Sequence, residues 1–377
     1  MGEYLDRIGQ GTYGTVFRFK KEEELFAIKI FDGDGCTKGV PSAGEMAFAT
    51  LFDHPHIIKH HEIMYNPAKG SFKLLMELAE EDLDTLVRRE RPSRERCYTL
   101  FLQLCSAIKY LHDANLAHFD IKPVNCLIKD GVLKLCDFGF CRFAFVRDTD
   151  VRPSFAPPET YYVMGDYSGV HPIYDQDIHY PRMADIWSLG ETFFFLLTGE
   201  NMFEEGRKGM LRKAKFTEDG QGYLSKYNLS QEEIDLLLLL LEVDMSKRAK
   251  IGQVMENKLF TNLRRVEFQP LTIPNLNWVN TSDRIIDELA HIGKKWELHS
   301  ALVNTTKALY YSLQEKHPNR MLLLGACLYL CSKLYSGRLM HPEDVVYFMG
   351  KGYSENQLFS EEKRIFVQLK EKCVFAP

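Results

Sequence analysis

The chain has 377 residues, enough for two or three domains, and its 45% apolar and 26% charged residues suit a globular protein with large buried cores. A formal net charge of −5 argues against general nucleic-acid binding, and no basic run offers a patch for an anionic membrane. Nine scattered cysteines without a C-x-x-C pair, and no signal peptide, point to a reducing, intracellular compartment.

The opening "MGEYLD" has Asp6 where a myristoylation signal needs Ser or Thr. From there to about residue 80 the pattern is rich in strands. "YLDRIGQGTYGTVFRFK" and "ELFAIKIF" are β-type runs separated by glycines and a charged turn at 20–24. "EMAFATLF" has helical spacing, and "IIKHHEIMY" and "FKLLMEL" return to strand character. Beyond residue 80 helices dominate, notably "RCYTLFLQLCSAIKYLHDANL", whose apolar residues recur three and four apart. "VNCLIKDGVLKLCDFGF" reads as a hairpin turning at "KDG".

Residues 140–182 are irregular and rich in Pro, Gly, Tyr and Asp, as a long surface loop would be, and loops of such length are usually functional or disordered. Helices resume with "ADIWSLGETFFFLLTG" and "SQEEIDLLLLLLEVD". The apolar run at 236–241 in the latter falls far short of the ~18 residues that span a bilayer, so no membrane contact is expected. A second break at 265–281, with prolines, asparagines and no helical repeat, reads as a linker. Residues 282–377 are nearly all helical in pattern, and 321–331 is apolar on almost every face, as in a helix wrapped by others.

Several polar residues stand where chemistry needs them. Gly9, Gly11 and Gly14 lie between two strands and not before a helix, which suits a flap whose backbone amides approach phosphates. Lys29 ends "FAIK" inside a strand, and Glu45 opens the next helical segment; paired, they would aim an ammonium at phosphate oxygens. In "HFDIKPVN", Asp120 can take a proton from a hydroxyl, Lys122 can neutralise a phosphoryl group, and Asn125 can offer a hard oxygen to Mg²⁺. Asp137 of "DFG" supplies a carboxylate to the same ion, and one hairpin returns it to the same cleft. Each feature alone has an ordinary structural explanation. Their order together points to phosphoryl transfer.

With "APPE" and "DIWSLG" following in turn, residues 1–264 resemble a eukaryotic-type protein kinase. The resemblance implies an α+β bilobal fold, with a β-rich lobe at 1–79 and a helical lobe at 80–264, that uses ATP and Mg²⁺ on protein Ser/Thr acceptors. By it, Lys29 pairs with Glu45, Asp120 is the catalytic base beside Lys122, and Asn125 and Asp137 hold the metal. Gly9, Gln10, Gly11, Thr12, Tyr13, Gly14, Val16, Ala27, Glu77, Leu78 and Leu127 would enclose the nucleotide. Glu159 would bridge to Arg248, and Asp185 would brace the catalytic loop from below.

Within the kinases, "VPSAGEMAFATLFDHPHII" looks like a shortened form of the P-S-T-A-I-R-E helix of the cyclin-dependent group. Thr12 and Tyr13 sit where that group is inhibited by phosphorylation. Residues 282–377 are similar to one cyclin box, an all-α five-helix bundle in which Lys333 and Glu362 would grip the kinase and Gly325 and Ala326 would allow close helix approach. Enzyme and activator would then share one chain. Gly44 weakens the short helix bearing Glu45, so docking of the helical module would drive Glu45 toward Lys29. A linker of roughly 17 residues reaches at most ~56 Å, enough for docking within a monomer or in a swapped dimer. An alternative reading is a pseudokinase-like scaffold or adaptor that binds partners through the cyclin-like region.

The chain departs from the family at Phe119, where an arginine usually precedes the catalytic aspartate and helps bind a phosphothreonine. A second such arginine position holds Gly44, and only Arg142 matches the third. Activity is therefore expected not to need activation-loop phosphorylation, for which Thr149, between two aspartates, would be the nearest acceptor. Arg152 stands where a substrate-loop threonine is expected, so a preference for Ser/Thr-Pro sites does not follow.

Overall fold

Short runs rich in apolar and β-branched residues in the first eighty positions build one antiparallel sheet, ordered β1-β2-β3-β5-β4. Its strands are β1 Gly2–Gly11, β2 Gly14–Lys21, β3 Glu24–Phe31, β4 His60–Asn66 and β5 Ser71–Glu77. In this computed structural model the described residues are 2–11, 14–31, 52–66, 71–114, 116–143, 155, 157–158, 180–203, 207–261, 263, 306, 310, 318–335, 342–350 and 352–373. Phe19, Ile28 and Leu75 bury one face of the sheet, with Phe17, Phe26 and Met64 against them. The segment "EMAFATLF", apart from Phe52, lies outside the described residues.

Below the sheet, β6 Glu81–Asp82 leads into α1 Leu83–Glu90 and α2 Arg94–Asp113. Asp82 and Ser93 cap these helices, accepting from the N–H groups of Thr85 and Arg96. Next come β7 Leu116–Ala117, β8 Cys126–Lys129, β9 Val132–Leu135 and β10 Arg142–Phe143. The hairpin turn between β8 and β9 falls at Asp130 and Gly131, with φ of 50° and 72°, as a two-residue turn of matching twist requires. α3 spans Tyr180–Thr198, α4 Arg207–Glu218, α5 Gly220–Leu224, α6 Gln231–Leu240 and α7 Ile251–Met255. Ser230 and Glu233 form a reciprocal capping box at the start of α6.

The lower core is built mainly from α2 and α3, where Phe101 and Phe193 have ring centroids 4.3 Å apart. Gly190 lets α3 meet α6: a Cβ there would lie 2.7 Å from Leu241 Cδ2. Two parts of the stretch expected to be irregular are ordered. α3 already begins at Tyr180, because the proline at its second position needs no hydrogen-bond donor in a first turn. β10 pairs antiparallel with β7, Arg142 facing Ala117 and Phe143 facing Leu116. Their two-residue length hides both from periodicity.

The C-terminal region contributes α8 Arg320–Tyr335, α9 Pro342–Met349 and α10 Glu355–Cys373 among the described residues. α8 packs on both α9 and α10 and buries Leu323, Leu324, Ala326, Cys327, Leu328 and Tyr329, the wrapping expected of so apolar a helix. A Cβ at Gly325 would lie 2.3 Å from Met349 Sδ, so this glycine does allow close approach. α8 also lies beside β10. The linker 265–281 and most of 282–317, and with them the full five-helix count, lie outside the described residues. No helix among the described residues is long and apolar enough to cross a membrane.

Candidate active site

The two lobes enclose a cleft of about 600 Å³. Its walls include Gly9, Gln10, Val16, Ala27, Lys29, Glu77, Leu78, Asp120, Lys122, Asn125, Leu127 and Asp137, all expected from the sequence to line one nucleotide site. Gly11 and Gly14 close the β1–β2 hairpin as opposed residues. Gly14 must be small: a Cβ there would come within 2.4 Å of the Ile30 carbonyl oxygen on β3. Thr12, Tyr13 and Glu45 lie outside the described residues, as do Thr149, Arg152 and Glu159.

Lys29 sits mid-strand on β3, 6% exposed, with its Nζ 3.4 Å from Asp137 Oδ1 and 5.3 Å from the Phe31 ring centroid. The pair puts one cation and one carboxylate at the back of the cleft. Burial would raise the Asp137 pKa, but Lys29, by charge and hydrogen bond, and Lys122 outweigh it and hold the carboxyl below its ordinary value. Asp137 therefore stays ionised at neutral pH, as a metal ligand must. Its left-handed backbone, φ 62°, turns Phe138 inward, where that fully buried ring lies 4.8 Å from Phe52 and 5.1 Å from His118.

The loop bearing Asp120 is fixed by hydrogen bonds. Asp185, fully buried on α3, accepts from the N–H groups of His118 and Phe119, both at 2.8 Å, and from His112 Nε2 at 3.0 Å. It braces the loop from below, as expected. Asn125 Nδ2 donates to the Asp120 carbonyl at 2.7 Å and to Asp120 Oδ2 at 2.8 Å. Both amide hydrogens are thereby engaged, and Oδ1 remains the side chain's acceptor for a cation. Lys122 Nζ lies 2.8 Å from Asp120 Oδ2, so the candidate base and its neighbouring cation are already paired.

These residues fit Mg-ATP. A hard amide oxygen, an ionised carboxylate and two lysines converge where a triphosphate and its metal would meet, below an apolar slot formed by Val16, Ala27 and Leu127.

His118 is a participant that sequence reasoning missed. Its Nδ1 accepts from the Asp120 N–H at 3.2 Å, leaving Nε2–H to donate to the Cys136 carbonyl at 3.1 Å. Burial lowers its pKa, which favours the neutral ring these two bonds require. One imidazole thus joins the loop of Asp120 to the residue before Asp137. The only sequence signal was a histidine two positions before the aspartate. Ile8, Ile58, Met76 and Phe140 also line the cleft and carried no polar signature. Arg248 of the expected Glu159 bridge is buried, donating to the carbonyls of Glu242 and Met183 with its guanidinium 5.1 Å from the Trp187 ring. Glu362 is 1% exposed on α10, whereas the side chain of Lys333 on α8 lies outside the described residues.

Geometry and family agree. The protein kinase domain model matches residues 3–260, and the chain belongs to the protein kinase family. Several of the proteins it resembles are serine/threonine kinases. The chain is 30% identical over 67% of its length to the serine/threonine-protein kinase par-4 of Caenorhabditis elegans, of which the match covers 42%. It is also 30% identical to testis-specific serine/threonine-protein kinase 3 of Mus musculus, over 66% of this chain and 91% of that one. It is 26% identical to serine/threonine-protein kinase ULK3 of Xenopus laevis, over 83% of this chain and 64% of that one.

Proposed function

We propose that this chain is a Mg-ATP-dependent serine/threonine protein kinase of the cyclin-dependent type, activated in cis by its cyclin-like C-terminal region. The observation that carries the kinase reading is the meeting of Lys29, Asp120, Lys122, Asn125 and Asp137 in one cleft. Asp120, held by Asn125, would orient a substrate hydroxyl and take its proton. Lys122, 2.8 Å away, would turn to the phosphoryl oxygens as negative charge builds there. Lys29 would steady the α- and β-phosphates from the back wall. Bound Mg²⁺ would screen the phosphate charges, held by Asn125 Oδ1 and Asp137.

The cyclin-dependent subtype and activation in cis are supported by the sequence around Gly44–Glu45, by the cyclin-box resemblance of 282–377, and by α8 lying beside β10 just after Asp137. The test compares the full chain with one ending before Thr281 on Ser and Thr peptides. The proposal expects at least a tenfold drop in kcat on truncation. Equal rates with and without the C-terminal region would remove activation in cis but leave the kinase reading standing.

A further inference from the structure

The residue before the candidate base departs from the family's pattern, and the fold gives it a definite place. Phe119 is 1% exposed and holds a left-handed backbone, φ 67°, which a bulky side chain adopts only where its surroundings enforce it. Its N–H is taken by Asp185 at 2.8 Å. Its ring forms a small apolar cluster with Ala117 of β7 and Ala184 of α3, separate from the main core. Phe140 packs against this cluster and also lines the cleft. Two residues further on, Arg142 of β10 pairs with Ala117. The segment leaving Asp137 is therefore fastened near the loop of Asp120 at two adjoining points, one by apolar packing and one by backbone pairing.

We propose that Phe119 is a positioning residue whose ring keys the segment after Asp137 to the loop of Asp120, so that base and metal carboxylate keep their register through packing. The inference rests on the phosphoryl-transfer reading above and names how that site is held. Ala117 and Ala184 are small enough to leave the ring its space. A shorter side chain opens a void beside Phe140, and the two segments can then slip. Phe119 is not among the residues lining the nucleotide cleft, so its loss affects the chemical step more than ATP binding.

The test measures kcat and KM for ATP in Phe119→Ala and Phe119→Leu beside the wild type. The expected result is at least a tenfold loss of kcat in Phe119→Ala with KM for ATP within twofold. Phe119→Leu, which refills most of the void, should recover to within threefold of wild type. A folded Phe119→Ala with wild-type kcat overturns the proposal, and so does one that loses ATP affinity and kcat together. If the alanine variant does not fold, Phe119→Val decides: a threefold loss of kcat at constant KM supports the proposal, and an unchanged kcat ends it. An inactive wild type that still binds Mg-ATP counts against the kinase reading and takes this inference with it. An active wild type indifferent to Phe119 removes the inference alone.

Discussion

At the scale of single residues, the proposed mechanism gives Asn125 two functions at once. Its amide hydrogens fix the orientation of Asp120, and in that mechanism its remaining oxygen takes the cation. Asn125→Ala should lower kcat by about 10²-fold and raise the Mg²⁺ concentration for half-maximal activity. Kinetics across a Mg²⁺ titration would show this, and a variant with normal Mg²⁺ dependence would contradict the role given to the amide. Phosphorylation is argued at the same scale. A phenyl ring at position 119 binds no phosphate, so phosphatase treatment or Thr149→Ala should leave activity within tenfold of wild type. Peptide assays before and after treatment decide it.

At the scale of elements, small residues and buried histidines hold the pieces together. Gly190 brings α3 against α6, and Gly190→Val would drive its side chain into Leu240 and Leu241. Overpacking of this kind costs about 1–3 kcal/mol and should lower the melting temperature. The loop 52–58 is tied to the lower lobe by paired backbone bonds between His56, Ile58 and Leu135. His54 accepts from the His56 N–H, and burial, then the neighbouring His56, lowers its pKa to about 4. Its neutral form is therefore favoured in the fold. The contribution is complete above the unfolded pKa near 6.5 and is lost as pH falls toward 4, amounting to about 2 kcal/mol by pH 5. Melting temperatures should fall between pH 7 and pH 5, and the fall should be shallower in His54→Gln. An identical slope in that variant would exclude His54 as the cause.

At the scale of the whole molecule, what the sequence made legible follows its periodicities. The strands of the upper sheet showed as short β-type runs, α2 and α3 as helical patterns, and the β8–β9 hairpin in "KDG". The candidate catalytic residues showed because reactive polar groups must keep fixed spacing on a short loop. Contacts made across the fold were not legible. His118 joins two loops through its ring nitrogens, and β10 finds β7 with only two residues each. Such joins depend on three-dimensional approach and leave no repeat to read. Phe119 was visible as a departure, but its apolar cluster was not. Of Lys333 and Glu362, the residues the cyclin-box resemblance places at an interface, Glu362 has the described side chain, and it is buried.

The proposed mechanism turns on Asp120 as the base that accepts a hydroxyl proton during transfer. The most direct measurement follows radiolabelled γ-phosphate from Mg-ATP to Ser and Thr peptides in the wild type and in Asp120→Asn. The wild type should transfer label, and the variant should lose about 10²–10⁴-fold in kcat while still binding Mg-ATP. A wild type that binds Mg-ATP but transfers nothing, or a variant as active as wild type, would contradict it.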